Sequence, residues 1–495
     1  MRLDPEICWR AAKSRDRRFD GLFFNGVVTT GVYCRPICPV VGPKRENVRF
    51  YPSAAAAEAA GFRACRRCRP EAAPGTPAWT GSSTTVSRAL RLISEGPLAP
   101  QGAEQLAVRL GIGSRQLRRL FARHLGTSPR TVTRTRRTHF ARRLIDETEL
   151  PMSEVALASG FGSIRQFNQA IRASFGRPPT RLRRDAAARR EKSSQGEIAL
   201  KLAYRPPFAW QTLLGFLAAR AIPGVEHVDG LGYQRSIAVE GAAGTLEVRP
   251  DPGAAQLDLR VRIADPSGLA RIVEGVRRVF DLRADPLRIA DDLRRDPELR
   301  PLIDAHPGVR VPGAWAPFEL SIRAVLGQQV TVKGATTLTG RLVRAFGKPL
   351  DACNGGPLTH LFPRPEVLAE ADMASIGIPR KRAETLRRLA SGVADGDLVF
   401  TDFARSEDLL RAIEQIPGIG DWTGQYIAMR ALGEPDAFPA SDIGLRSALT
   451  PGGPRLSTAE LAKRAEPWRP WRAYAAMWLW TAPRAADTRT RRSQT

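Results

Sequence analysis

Four of the six cysteines in this chain stand in two tight pairs, Cys34/Cys38 and Cys65/Cys68, set among arginines. A C-x3-C loop and a C-x2-C loop can bring four thiolates around one Zn2+ ion in tetrahedral geometry. Four sulfur donors leave no open position, so the spacing by itself reads as a structural staple for a small domain. Cys8 and Cys353 stand alone and read as ordinary packed thiols.

A second group of residues lies far downstream. Ile416-Pro417-Gly418-Ile419-Gly420-Asp421-Trp422-Thr423-Gly424 has the layout of a helix-hairpin-helix turn. Glycines such as Gly418 and Gly420 permit a tight hairpin whose exposed N–H groups grip a DNA phosphate, often with a monovalent cation on the carbonyls. The motif also occurs in DNA-binding modules that catalyse nothing. Here it is followed by Phe438-Pro439-Ala440-Ser441-Asp442. An Asp in that position is either a helix N-cap or a catalytic carboxylate. Hydrolysis of an N-glycosidic bond builds positive charge on the sugar, which one buried carboxylate beside the anomeric carbon would stabilise.

The elements that carry these residues are unevenly charged. Within a net charge of +26, residues 79–192 hold 22 Lys/Arg against 8 Asp/Glu, or +14, and residues 1–78 hold 14 against 7. The remaining residues hold 40 against 35. A basic front half is the electrostatic footprint of a nucleic-acid binder. The start of the chain has no apolar core and does not read as a signal peptide. The stretch Phe208–Ile222 is too short and too interrupted, by Gln211 and Arg220, to cross a bilayer. Metal-bound cysteines in a reducing cytoplasm are therefore expected, with no membrane partner.

Length and linkers divide the chain further. The 495 residues suit roughly three or four domains. Ala72–Pro77 reads as a Pro/Gly linker, and the charged, then Ser/Gly-rich run Arg183–Gly196 as a second. Between them lies an internal repeat. Glu104-Gln105-Leu106-Ala107, a Gly111-Ile112-Gly113 turn and a helix opening at Ser114 recur as Glu154-Val155-Ala156, Gly160-Phe161-Gly162 and Ser163. Each copy has the helix-turn-helix layout, with an N-cap serine and readers on its second helix: Arg115, Gln116 and Arg119, then Arg165, Gln166 and Gln169. From about 197 to 265 the pattern alternates as in strands, and from 269 onward it is helical.

The stretches Thr29-Thr30-Gly31-Val32-Tyr33-Cys34-Arg35-Pro36-Ile37-Cys38, Arg45-Glu46-Asn47-Val48 and Gly61-Phe62-Arg63-Ala64-Cys65-Arg66-Arg67-Cys68 resemble the N-terminal domain of the Ada adaptive-response family. Residues 79–187 resemble the AraC-type double helix-turn-helix that follows it there. The resemblance implies that Cys34 is both zinc ligand and acceptor of a methyl group from DNA methylphosphotriesters, with Thr30 and Arg63 contacting DNA. Two positions depart from the family, which has arginines where Pro39 and Val41 stand. The O6-alkylguanine transferase motif Pro-Cys-His-Arg is absent from the sequence.

The second half resembles the AlkA-type 3-methyladenine DNA glycosylases over roughly 197–483. The likeness rests on the hairpin and Asp442, on Phe318–Gln329, and on Trp468–Trp480. It implies Asp442 as the catalytic aspartate and Trp422, Tyr426, Trp480 and Gln328 as the base pocket, which would select electron-poor alkylated bases by cation–π stacking. Gln329 stands where the family has an apolar wedge. Trp468, Trp471 and Trp478 read as core. Glycosylases of this superfamily that also cut the backbone carry a lysine where Trp422 stands, so a monofunctional enzyme is expected. No C-terminal cysteine cluster exists for an iron–sulfur centre.

The expected fold is multidomain and mainly α: an α+β zinc domain (1–73), an all-α double helix-turn-helix (79–187), and a strand-rich lobe (197–308) with an all-α helix-hairpin-helix core (309–485). The chain is identified as a member of the Ada–AlkA fusion family. Expected partners are alkylated double-stranded DNA, promoter DNA and RNA polymerase, for a cytoplasmic, nucleoid-associated monomer. Two rival readings are an inert zinc staple beside a working glycosylase, and a lesion-binding regulator whose glycosylase half is inactive.

Overall fold

The computed structural model describes residues 4–40, 42–74, 84–95, 102–187, 196–350, 356–400, 406–450 and 452–481. Val41, Cys353, much of both expected linkers and the end of the expected last domain lie outside them.

The first segment is a small α+β fold. It contains α1 (Pro5–Lys13), β1 (Phe24–Val27), β2 (Val32–Cys34), β3 (Val48–Tyr51), α2 (Ala54–Ala59) and β4 (Arg63–Ala64), with sheet order β3-β1-β2-β4. Asp4 opens α1 by accepting from the N–H groups of Glu6 and Ile7. β1 runs antiparallel to β2 and β3, whereas β2 and β4 are parallel. That parallel register sets Tyr33 beside Ala64. Cys34, the last residue of β2, and Cys65, the first after β4, therefore follow at neighbouring ends of the two strands. Cys8 is buried against Ala11 and Phe23, the packed thiol expected of it.

Seven helices follow: α3 (Thr84–Glu95), α4 (Gly102–Arg109), α5 (Ser114–Leu125), α6 (Pro129–Glu147), α7 (Met152–Ala158), α8 (Ile164–Phe175) and α9 (Pro179–Ala186). Leu117, Phe121 and Leu125 bury one face of α5, and Phe167, Ile171 and Phe175 bury the same face of α8. Both helices end on a left-handed glycine, Gly126 and Gly176. The repeat differs from expectation in one detail. Ser163 caps α8 through the Gln166 N–H, but Ser114 is already the first residue of α5, and Gly113 holds the cap position without a side-chain bond. The second turn is one residue longer, which leaves its serine outside the helix. Between the copies, α6 starts on a Ser128 cap with Pro129 at its first position. Its 19 residues span about 28 Å.

The chain continues through β5 (Ile198–Ala203), α10 (Trp210–Ala218), β6 (Glu226–Val228), β7 (Tyr233–Val239), β8 (Ala242–Pro250) and β9 (Gln256–Ile263). The expected strands form, but α10 interrupts them because Leu213, Leu214 and Leu217 recur at helical spacing and are buried. Helices follow: α11 (Leu269–Val279), α12 (Pro286–Leu293), α13 (Arg300–Ala305), α14 (Pro317–Leu326), α15 (Val332–Phe346), α16 (Pro365–Glu370), α17 (Arg380–Ala394), α18 (Ser406–Glu414), α19 (Asp421–Arg430), α20 (Ile443–Ala448), α21 (Thr458–Arg464) and α22 (Arg472–Thr481).

The chain separates into two compact units, Met1–Pro206 with Ile237–Arg277, and Pro207–Ser236 with Arg278–Thr495. In the first, β9 pairs antiparallel with β5 and β8. In the second, residues of α14, α15 and α17–α19, among them Ile322, Leu342, Leu386, Leu409 and Ile427, form one apolar core. Trp468, Trp471 and Trp478 are at most 2% exposed, and their indoles donate to Asp296, Asp292 and the His306 carbonyl. No helix among the described residues is long and apolar enough to cross a membrane.

Candidate metal centre and candidate active site

The ends of β2 and β4 and two loops bring Cys34, Cys38, Cys65 and Cys68 together, with their sulfurs all within 4.8 Å of one another. A tetrahedral Zn–S4 site needs sulfur separations of about 3.8 Å, so the four fit one ion with little movement. Cys65 and Cys68 are buried, whereas Cys34 and Cys38 are partly open to solvent. The Arg35 N–H donates to Cys68 Sγ at 3.3 Å. The Arg35 side chain reaches the Cys68 carbonyl at 3.1 Å and pairs with the buried Asp20. Such N–H···S bonds orient thiolate ligands. The four thiols stand close enough to influence one another's ionisation. Contact with Cys34 draws Cys38 down to about 7 and Cys65 lower still, while Cys34 and Cys68 are pushed up.

Both cysteine pairs are tied to α6. The Tyr33 hydroxyl, fully buried beside Cys34, donates to Glu58 of α2 at 3.0 Å and meets His139 Nε2 of α6 at 2.9 Å. Thr135 donates to the other Glu58 oxygen at 2.6 Å. These bonds, with His139, hold the Glu58 carboxyl below its usual value although burial opposes ionisation. On the other side Arg69, next to Cys68, adopts a left-handed backbone (φ 52°) and bridges Glu71, Asp146 and Glu147. Thr30 and Arg63 are exposed, and the Arg63 N–H bonds the Gly31 carbonyl. Arg115, Gln116 and Arg119, like Arg165, Gln166 and Gln169, are exposed along the outer faces of α5 and α8. Pro39 is exposed, and its carbonyl accepts from Arg15.

In the second unit the hairpin joins α18 to α19. Gly418 has φ +94°, and a Cβ there would stand 2.3 Å from Thr385 Oγ1, so glycine is required. Gly420 has an ordinary extended backbone and open space beside it. A side chain would fit there, so the turn itself does not require glycine at this position. Gln328 binds the hairpin: its Nε2 donates to the Gly418 carbonyl and to Thr423 Oγ1, both at 2.9 Å. Gln329 is exposed at the loop between α14 and α15 with φ +57°, a strained conformation for a non-glycine residue.

Asp442 is the N-cap of α20, its Oδ1 accepting from the Leu445 N–H at 3.0 Å. It is more than a cap. The Trp480 indole donates to Oδ1 at 3.1 Å and the Trp422 indole donates to Oδ2 at 3.0 Å. A carboxylate has about four acceptor positions, so three donors leave one position open, on Oδ2. Trp422 stacks on Tyr426 (centroids 5.2 Å apart, 9° between planes), and Trp480 meets Tyr426 edge-on at 6.5 Å. The arrangement is a half-buried aromatic cup with one oriented carboxylate at its wall.

Over 486 residues the chain is 45% identical to a Mycobacterium tuberculosis protein described as "Probable bifunctional transcriptional activator/DNA repair enzyme AlkA", with 97% of each chain covered. The chain belongs to that family. Its parts match four family profiles: "Metal binding domain of Ada" (7–71), "Helix-turn-helix domain" (106–185), "AlkA N-terminal domain" (199–316) and "HhH-GPD superfamily base excision DNA repair protein" (322–464). It is also 35% identical over 282 residues to the Escherichia coli protein "DNA-3-methyladenine glycosylase 2", covering 56% of this chain and 95% of that one. Among solved structures, an Archaeoglobus fulgidus 3-methyladenine DNA glycosylase shares the fold of 57% of the chain and 97% of its own (TM-score 0.50, 21% identity). In this AlkA-type bifunctional protein the four cysteines are a zinc site of the Ada type.

Residues behind these sites carried no sequence signal. Glu58, Thr135 and His139 look like ordinary helix positions until α6 is laid against the sheet. Arg430 lies one helical turn after Tyr426, the only hint that its guanidinium bonds the Tyr426 hydroxyl at 2.6 Å.

Proposed function

We propose that the second half hydrolyses the N-glycosidic bond of 3-methyladenine-type alkylated bases in duplex DNA and leaves the abasic site uncut. The convergence of two indole N–H groups and a helix N-terminus on Asp442 carries this reading. Fixed in this way, the carboxylate needs no reorganisation to stabilise the oxocarbenium-like sugar, and the open position on Oδ2 can orient the attacking water. Trp422, Tyr426 and Trp480 hold the extruded base by stacking and cation–π attraction. Gly418 and Gly420 receive a backbone phosphate, and a monovalent cation on the hairpin carbonyls is part of the proposal. Gln328 braces the hairpin from behind, while Gln329 enters the space left by the base. Trp422 stands at the position where a lyase would carry its lysine, and no iron–sulfur cluster is proposed.

In the first half, Cys34 is the methyl acceptor. A zinc ion on the four sulfurs would keep them deprotonated at neutral pH. Cys34 Sγ forms the new S–C bond as the methyl C–O bond breaks, and the phosphodiester departs with the electron pair. The site loses one negative charge, so phosphate approaches it more easily and DNA affinity rises, less so at high salt. Thr30 and Arg63 hold DNA, and the six readers on α5 and α8 recognise promoter DNA. RNA polymerase is the proposed partner of the resulting activator, which acts as a cytoplasmic, nucleoid-associated monomer. The functional divisions are 1–73, 79–187, 197–308 and 309–485.

The test is release of free base from alkylated duplex DNA. Asp442→Asn should lose roughly 4 kcal/mol of transition-state stabilisation and still bind abasic DNA. Full activity in that variant would place the catalytic carboxylate elsewhere.

A further inference from the structure

Behind the base pocket, buried charge is out of balance. Glu226 and Glu319 share Arg235 and Arg323 at 2.8 to 3.7 Å, which accounts for both acids. Arg220 and Arg430 line the same small chamber. Neither has a carboxylate partner among the described residues. Arg430 is 3% exposed and donates to the Pro312 carbonyl at 2.8 Å and to the Tyr426 hydroxyl at 2.6 Å. Arg220 bonds the Phe216 carbonyl at 3.3 Å and interacts electrostatically with Tyr426. Four guanidiniums thus face two carboxylates; of the two unmatched cations, Arg430 bonds one phenol directly and Arg220 acts on it through its charge.

The Tyr426 oxygen accepts a charge-assisted hydrogen bond from Arg430 at 2.6 Å and lies in the field of Arg220 as well. We propose that Tyr426 is the charge-matching, specificity-determining residue of the pocket: it works as a phenolate held by Arg430 and Arg220, and its charge favours cationic alkylated bases over neutral ones. The proton goes to solvent, Tyr–OH giving Tyr–O− and H+. The inference rests on the base-excision reading above.

The geometry shows why a neutral phenol would serve poorly. Arg220 lies 3.7 Å and Arg430 5.0 Å from the Phe216 ring centre, and Phe216 lies 6.3 Å from Trp480. Arg430 also sits 5.4 Å over the Tyr426 ring itself. With Tyr426 neutral, these cations repel a cationic base placed in the cup. Ionisation cancels one of them inside the wall that touches the base. The groups facing Tyr426 are Arg430 on its own helix, Arg220 after α10 and Arg323 on α14. Burial resists ionisation, but Arg430, Arg220 and Arg323 draw the phenol below its ordinary value. Burial pushes Tyr33, Tyr233 and Tyr474 well above theirs.

The full-length protein should show an early phenolate step in ultraviolet absorbance that Tyr426→Phe abolishes. The step should move to higher pH in Arg430→Met and in Arg220→Met, so one misfolded variant would not decide the matter. In base-release assays, the rate ratio of cationic 7-methylguanine to neutral hypoxanthine should rise about tenfold as the phenolate forms, and stay flat with pH in Tyr426→Phe. An unchanged early step in Tyr426→Phe, or an equal pH dependence of the ratio in both proteins, would overturn the proposal. If the wild type released neither base, the base-excision reading would fail while the absorbance titration still decided whether Tyr426 ionises.

Discussion

Asp442 offers a graded test, because its two oxygens are not equally supported. Oδ1 accepts from both the Leu445 N–H (3.0 Å) and the Trp480 indole (3.1 Å), whereas Oδ2 accepts only from the Trp422 indole (3.0 Å). Replacing either tryptophan by phenylalanine keeps an aromatic ring for stacking and deletes one donor. Trp422→Phe strips Oδ2 of its only donor and frees the carboxylate to rotate. A hydrogen bond to a charged group contributes about 1.5–3 kcal/mol, and partial exposure places this one near the lower end. Trp422→Phe should therefore lower the single-turnover rate of base release about tenfold. Trp480→Phe leaves the Leu445 bond in place and should lower it less, by about threefold. Binding to abasic DNA, measured separately by competition, should change little in either variant. A loss in Trp480→Phe equal to or larger than that in Trp422→Phe would refute the reasoning, as would two unaffected variants.

Three further outcomes follow from other parts of the fold. Burial pushes the Asp281 carboxyl up to about 6 despite Arg310 and the Tyr474 hydroxyl. A raised folded value favours the protonated native state, so this group's stabilisation is present below about pH 4 and is lost, by about 3 kcal/mol, as pH rises through about 6. Urea melts at low and neutral pH should show that loss in the wild type and not in Asp281→Asn, which also tolerates the left-handed backbone at this position (φ 47°). Changing Cys65 and Cys68 together to Ser should abolish stoichiometric zinc and unfold residues 1–72, read as new proteolysis, and metal retained in the double variant would defeat the four-cysteine assignment. Tyr33→Phe should keep its zinc yet raise amide hydrogen exchange along α6 about fivefold, because about 1 kcal/mol of buried hydrogen bonding is removed; unchanged exchange would show that α6 is held without Tyr33.

The ligand set and the helix-turn-helix repeat were legible in the sequence because they depend on short-range spacing. C-x3-C and C-x2-C, paired glycine turns and the i, i+4, i+8 apolar residues of α5 and α8 each fix a local geometry. Asp442 was legible only as one of two things, a cap or a catalyst, and the structure makes it a cap whose other lone pairs face two tryptophans. What the sequence did not reveal lies in long-range packing. Nothing in the run Gly424–Arg430 says that Arg430 lacks an acid, since its neighbours Phe216, Arg220 and Pro312 come from distant segments. The Tyr33–Glu58–His139 network likewise joins residues up to 106 positions apart. The α10 helix shows the same limit: its three leucines sit in a region otherwise patterned as strands.

The central claim is that one chain performs two separable repair reactions, methyl acceptance at Cys34 and base release at Asp442. Its most direct test is a single incubation with methylated duplex DNA in which protein mass and free base are both read. Wild type should gain about 14 Da, one CH2, on the Cys34 peptide and release free base without forming a borohydride-trapped adduct. Asp442→Asn should show the mass gain alone, and Cys34→Ala the base release alone. Methyl on a different cysteine, a trapped covalent adduct with DNA, or loss of both reactions in either variant would contradict the account.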